Sequence, residues 1–177
     1  SGTPGNDPAV NLSPGNSPGC VTVAGNLSTT SNDTYEIEVD GITACTEHDQ
    51  FTITGNLTLG NATLNLVLGY DPAHNASFTI LKNDGLNAVN GTFSGLTEGA
   101  LFTANYNGAA YTLSISYTGG DGNDVVVTAL TRVRVYNATN ALVSTHNDIQ
   151  PAIIAPTTMD SYSITLEAGT YYGNVFS

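Results

Sequence analysis

Positive charge is what this chain most lacks. Three Lys and Arg stand against fifteen Asp and Glu, a formal net charge of −12. Nucleic acid and anionic membranes are bound through dense Lys/Arg contacts, so neither is an expected partner. Charge of either sign is scarce, 10% of residues, against roughly a quarter in ordinary soluble domains. Asn, Thr, Ser and Gly must therefore cover the surface, as they do on many secreted proteins, and the acidity serves chiefly to keep the chain in solution. No apolar run approaches the roughly 18 residues that span a bilayer. The N-terminus has neither the charged nor the hydrophobic region of a signal peptide, so an already processed chain or an excised module is expected.

Cysteine is nearly absent as well. Cys20 and Cys45, in a composition that suits an oxidising compartment, are expected to form one disulfide. Such a bridge would stabilise the fold by about 3 kcal/mol in the chain-entropy estimate. No Cys-x-x-Cys spacing suggests zinc. No Ser or Cys sits in a nucleophile elbow, and no phosphate loop is present. Glu47-His48-Asp49 reads as a loop, because neighbours in an extended segment do not converge on one point. His74 and His146 lie in other apparent loops. A hydrolase built on paired carboxylates would need the fold to assemble its acids. The expectation is a protein that is not an enzyme.

The clearest pattern runs from Thr92 to Leu130. Tyr111 to Tyr117 alternates with period two, putting Tyr111, Leu113, Ile115 and Tyr117 on one face, toward a core, and hydroxyl residues on the other. Asn107-Gly108 tolerates the positive φ of a type I′ turn and marks a hairpin with the strand before it. Gly119 to Asp124 turns the chain again into an apolar strand, Val125 to Leu130.

Residues 1–19 hold Pro4, Pro8, Pro14 and Pro18 among glycines, so they read as an extended arm rather than a central strand or helix. Within it, Val10 and Leu12 are candidates for packing on a neighbouring subunit by strand addition. Strands are expected at Cys20–Ala24, Thr34–Val39 and Gln50–Thr54, then at 62–68 and 77–81. In the second of these, Tyr35, Ile37 and Val39 alternate with a wet acidic face, Glu36, Glu38 and Asp40. Val23 to Ser28 is echoed thirty residues later by Ile53 to Thr58, the kind of self-similarity seen in stacked repeats. Asn83-Asp84-Gly85 and Asn90-Gly91 are further turns. Arg132 and Arg134 alternate with Val133 and Val135, placing both cations on an exposed face, where they would pair with carboxylates. A last hairpin is expected across Glu167 to Thr170, from Tyr162–Leu166 into Tyr171–Phe176.

About ten short strands separated by turns favour an all-β fold, an antiparallel β-sandwich. The alternative is a short β-solenoid with a sandwich-like cap. Domain organisation is read as an arm, 1–19, and a single all-β domain, 20–177, with a subdomain break near residue 130 as a further option.

Several patterns bear on ligands. Gly119 to Val127 fits the calcium-binding nonapeptide pattern, with Asp121 and Asp124 as ligands, although one copy supplies only part of a site that needs six to eight oxygens. The simpler reading is a turn in which Gly supplies positive φ and Asp caps amides. Nine Tyr allow a sugar-stacking platform, but core packing accounts for several of them. Lys82, the only lysine, is a weak candidate for an isopeptide bond. The acceptor pattern Asn-x-Ser/Thr occurs at Asn11, Asn26, Asn32, Asn56, Asn61, Asn75, Asn90 and Asn137, more often than composition alone gives, and makes these candidate glycosylation sites.

The segment Gly91 to Gly99, the strand Tyr111 to Tyr117 and the turn Gly119 to Val126 resemble the C-terminal part of bacterial surface proteins with autotransporter-type β-strand repeats. Weaker similarity in Leu12 to Gly19, Asp49 to Gly55 and Ser77 to Asp84 extends the resemblance over roughly residues 11–130. Cys20 and Cys45 depart from that pattern, and Thr131 to Ser177 has no counterpart in it. The resemblance implies an extracellular, non-catalytic surface role. Together these readings lead us to expect an extracellular structural protein, a self-assembling subunit or module of a surface filament or adhesive stalk, associating through its arm or its strand edges and holding no cofactor. The competing expectation is a monomeric module of an adhesin that binds glycan or a calcium-dependent ligand.

Overall fold

A computed structural model describes residues 8–15, 18–154 and 161–168. These residues are almost all β, in several sheets with sandwich-like packing, and among them there is no closed barrel and no continuous solenoid. β1 (Asn11–Leu12) precedes the first turn of chain, which comprises β2 (Cys20–Val23), β3 (Leu27–Ser28) and β4 (Thr34–Val39). The second comprises β5 (Gln50–Ile53), β6 (Leu57–Thr58) and β7 (Thr63–Leu68), and β8 (Ser77–Asn83) begins a third.

Pairing direction corrects the sequence reading here. The expected antiparallel arrangement gives way to parallel strands in the N-terminal half: β2 with β5, β5 with β8, β3 with β6, and β1–β4–β7. The thirty-residue echo is this register, since Val23 pairs with Ile53 and Leu27 with Leu57. Parallel neighbours need a long return connection, and each turn of chain supplies one. The repeated Gly-Asn corner follows from the stacking. A Cβ on Gly55 would meet the Gly25 backbone at 2.5 Å, and one on Gly85 would meet the Gly55 carbonyl at 2.3 Å.

From β8 onward the expectation holds. β9 (Leu101–Tyr106), β10 (Ala109–Gly119) and β11 (Asp124–Ala129) are antiparallel and complete a six-stranded sheet ordered β2-β5-β8-β11-β10-β9. The Asn107-Gly108 turn has φ of 48° and 81°, as a type I′ hairpin requires. β12 (Val133–Tyr136), β13 (Leu142–His146), a six-residue helix α1 (Ile149–Ile154) and β14 (Ser163–Leu166) follow. They form a smaller antiparallel sheet, β13-β12-β14, with its own apolar cluster of Val133, Val135 and Ala152. This separate cluster lies beyond residue 130, where a break was an option. Residues 1–7 of the arm and the second half of the hairpin expected at 162–176 lie outside the described residues.

The main core lies between the β1-β4-β7 sheet and the six-stranded sheet. Tyr35 sits at its centre, edge-on to Phe51 at 5.7 Å and to Phe93 at 5.3 Å, an arrangement favoured by ring quadrupoles. Tyr111, Leu113, Ile115 and Tyr117 all point inward, as their alternation requires. The segment Gly91 to Gly99 closes the stack over Phe93. Tyr117 holds it there: its buried hydroxyl donates to the Leu96 carbonyl at 2.6 Å and accepts from the Phe93 amide at 3.0 Å. The Glu98 carboxylate returns the grip by accepting from the Tyr117 amide at 2.6 Å. Tyr117→Phe leaves a buried N–H and a carbonyl without this partner and is expected to cost about 1–3 kcal/mol, read as a lower urea midpoint with an unchanged m-value.

Candidate functional site

Carboxylates are the most numerous ionisable groups of this chain, and among the described residues the buried ones bind backbone amides. Asp33 Oδ1 accepts from the Val10 amide at 3.0 Å while Oδ2 accepts from the Thr30 amide at 2.8 Å. These bonds, that from Thr30 first, hold its carboxyl below the usual range. Asp49, fully buried, bridges the Gly19 amide at 2.7 Å and the Glu38 amide at 2.9 Å. Asp124 Oδ1 accepts from the Asn83 amide at 2.8 Å. Burial pushes the Asp124 carboxyl up, against the pull of that amide. Each of these aspartates ties one stretch of backbone to another 11 or more residues away. For Asp124 this is the amide-capping role expected of its turn, while for Asp33 and Asp49 the sequence reading missed it, although a signal existed, since each stands immediately before a strand.

The Gly119–Asp124 turn grips the last corner of the stack. Asn123 Nδ2 donates to the carbonyls of Gly85 at 2.7 Å and Asn87 at 3.2 Å. Between these turns lies an open cleft of about 300 Å³ lined by Gly85, Leu86, Ala88, Asp121, Gly122 and Asn123. Asp121 is exposed at the cleft, whereas Asp124 is buried against Asn83. The two expected calcium ligands therefore do not act as one donor set. Among the described residues no three His, Cys, Asp or Glu side chains are grouped to hold a metal. The pair does not fit a cation that needs six to eight oxygens.

The expected Cys20–Cys45 disulfide is formed, with a Cα–Cα distance of 4.8 Å. It fastens the start of β2 to the loop between β4 and β5. The arm residues fold back on their own chain: β1 pairs with β4, and the Val10 carbonyl accepts from the Thr34 amide at 2.9 Å. Val10 is half exposed, and Leu12 packs against the main core. A shallow pocket at this end is lined by Val10, Leu12, Leu27, Ser28, Thr29 and Asp33.

Of the eight acceptor asparagines, Asn11, Asn26, Asn32, Asn56, Asn61, Asn75 and Asn90 are exposed and Asn137 is half-buried. Asn26 and Asn56 occupy the same corner in successive turns, with Asn26 Oδ1 accepting from the Asn56 amide at 2.8 Å. Asn137 Oδ1 closes its own turn by accepting from the amides of Thr139 and Ala141. Lys82 is exposed and paired with Asp84 at 2.8 Å.

Arg134 departs from expectation. It lies buried, not on an exposed face, though it does pair with carboxylates: Asp71 bidentately at 2.6–2.9 Å, and Glu167. Burial alone would lower its pKa, but the Asp71 and Glu167 carboxylates outweigh that and raise it. Glu167 also accepts from the His74 amide at 2.8 Å, so this network fastens the C-terminal sheet to the loop after β7.

Glu47, His48 and Asp49 diverge as expected. His48 is buried, edge-on to Phe78 at 5.6 Å, with Nδ1 3.3 Å from the Gly41 carbonyl. No known protein family, curated protein or solved structure matches this chain.

Burial lowers the His48 pKa below its ordinary 6.5. The folded ring therefore binds a proton less readily than the unfolded one, and its contribution to stability is complete above 6.5 and lost as the pH falls from there toward the folded value. The drop in melting temperature between pH 7 and pH 5 is expected to be smaller in His48→Gln than in the native chain; equal drops would show that His48 does not titrate with folding.

Proposed function

We propose that this is a non-catalytic extracellular structural protein, a self-assembling subunit or module of a surface filament or adhesive stalk. The observation that carries this reading is the open end of the parallel stack. There β1, β2 and β3 each end a sheet, so their outer backbone groups have no strand partner among the described residues. Backbone groups arranged in this way are a ready template for strand addition. The structural use of the buried carboxylates supports the same reading, because it leaves Asp33, Asp49 and Asp124 holding the fold. The disulfide fits an oxidising compartment. Among the described residues no helix is long and apolar enough to cross a membrane.

Light scattering and electron microscopy of the full chain, and of a chain lacking residues 1–19, test this function. Concentration-dependent assemblies are expected from the full chain. If removing 1–19 abolishes them, the arm is the joining element; if they persist, the strand edges are. A full chain that stays monomeric at every concentration rejects self-assembly. It would instead favour a monomeric adhesin module with the cleft beside Asp121 and Leu86 as its glycan-binding site.

The exposure of seven acceptor asparagines supports glycan attachment on this surface. An intact mass of the native material above that of the bare chain is the expected result, with the excess mapping to peptides from 11–90. A mass equal to the bare chain rejects glycosylation.

A further inference from the structure

The two outer strands of the six-stranded sheet are matched to each other. β2 and β9 lie at its opposite edges. Following the pairings across it, β2, β5 and β8 run one way, β11 runs against β8, β10 against β11 and β9 against β10. β9 is therefore antiparallel to β2, and a second copy displaced along the sheet brings its β2 beside the first copy's β9 in the ordinary antiparallel sense.

Among the described residues neither edge has a strand partner on its outer side. The Gly19 and Val23 carbonyls accept from the amides of Gln50 and Thr54, both at 3.1 Å. Alternate residues thus face β5, and Cys20 and Thr22 turn their N–H and C=O groups outward. On β9 the two-residue turn makes Tyr106 and Ala109 a hydrogen-bonded pair, so Ala104 and Phe102 also face β10. Leu101, Thr103 and Asn105 face outward, and all three are exposed.

Neither edge has the usual defences of Lys, Pro or a bulge. The two longest stretches of the chain without Asp, Glu, Lys or Arg are 8–32, which holds β1–β3, and 99–120, which holds β9 and β10. At a net charge of −12, two copies repel over most of their surfaces. These two edge segments add no charge of their own to that repulsion. β2 is also held in place on both sides of its start, by the Cys20–Cys45 bridge and by Asp49 on the Gly19 amide. Little ordering is then left for association to impose.

We propose that β9 of one copy pairs antiparallel with β2 of the next, extending the six-stranded sheet head to tail. This rests on the self-assembly reading above and names its joint. Such a contact is heterologous and does not close unless successive copies rotate into a ring, so it grows an open fibre. The axial rise is six strand spacings, about 29 Å.

Thr22→Lys and Thr103→Lys test the joint, each placing a cation on one edge while making the chain less negative, with Thr118→Lys on β10 as the control away from both edges. Asn105→Lys repeats the β9 block at a second outward position, and cooperative thermal unfolding verifies that each variant is folded. The native chain and the control are expected to assemble, with a rise of about 29 Å in fibre diffraction. Each edge variant alone is expected to be monomeric. An equimolar mixture of Thr22→Lys and Thr103→Lys should give a species of twice the monomer mass, because one free β9 and one free β2 remain. Assembly that persists in both edge variants overturns this joint but leaves self-assembly standing through the arm. Monomeric variants that give no dimer when mixed also overturn it. A native chain that never assembles overturns both readings.

Discussion

A turn of some thirty residues with strands of two to six residues cannot bury its own apolar side, and the rest of this structure depends on that constraint. Each turn becomes stable only when the next one lies on it. Stacking satisfies backbone groups and encloses Tyr35, Ile37, Ile53 and Leu57 in one step. It also creates a difficulty, because a parallel stack leaves a row of unpaired amides and carbonyls wherever it stops. At the Gly91–Gly99 end the chain removes most of that difficulty itself. Phe93 covers the core, Tyr117 and Glu98 hold the covering segment, and β9–β11 convert the parallel sheet into an antiparallel one that needs only short hairpins.

The acidic residues take on a different meaning in this light. A carboxylate accepts several N–H bonds at once, so an Asp placed just before a strand can satisfy an amide in its own turn and another in the turn beside it. Asp33 does this for Thr30 and Val10, Asp49 accepts from the amides of Gly19 and Glu38 in the turn before it, and Asp124 accepts from the Asn83 amide where the antiparallel hairpin meets β8. Asp71 and Glu167 extend the same practice to a cation, enclosing Arg134 and joining the C-terminal sheet to the body. Truncating one partner of so buried a network would leave the other charge uncompensated, which is the costly case.

The motif-like turn at Gly119–Asp124 shows how a local pattern can indicate chemistry that its surroundings do not support. Calcium would require both aspartates to converge with further oxygens. The fold instead sends Asp124 inward to the Asn83 amide and uses Asn123 on the carbonyls of Gly85 and Asn87. The Gly and Asp content of the segment serves positive φ at Gly120 and Gly122 and amide capping.

The sequence by itself determined what depends on neighbours a few residues away. Period-two alternation placed Tyr111, Leu113, Ile115 and Tyr117 inward, and Asn107-Gly108 gave the hairpin. The bridge between Cys20 and Cys45 was also legible, because only one pairing was available. Strand direction was not, since a single echo of Val23–Ser28 in Ile53–Thr58 is compatible with a hairpin or a stacked corner until the return path of the chain is known. Nor could alternation tell that Arg134 would be covered, because its burial comes from Asp71 and Glu167, which are distant in sequence. The tertiary structure alone decided which carboxylates hold backbone and which two strands end the sheet, because both are set by how separate turns of chain come to lie against one another.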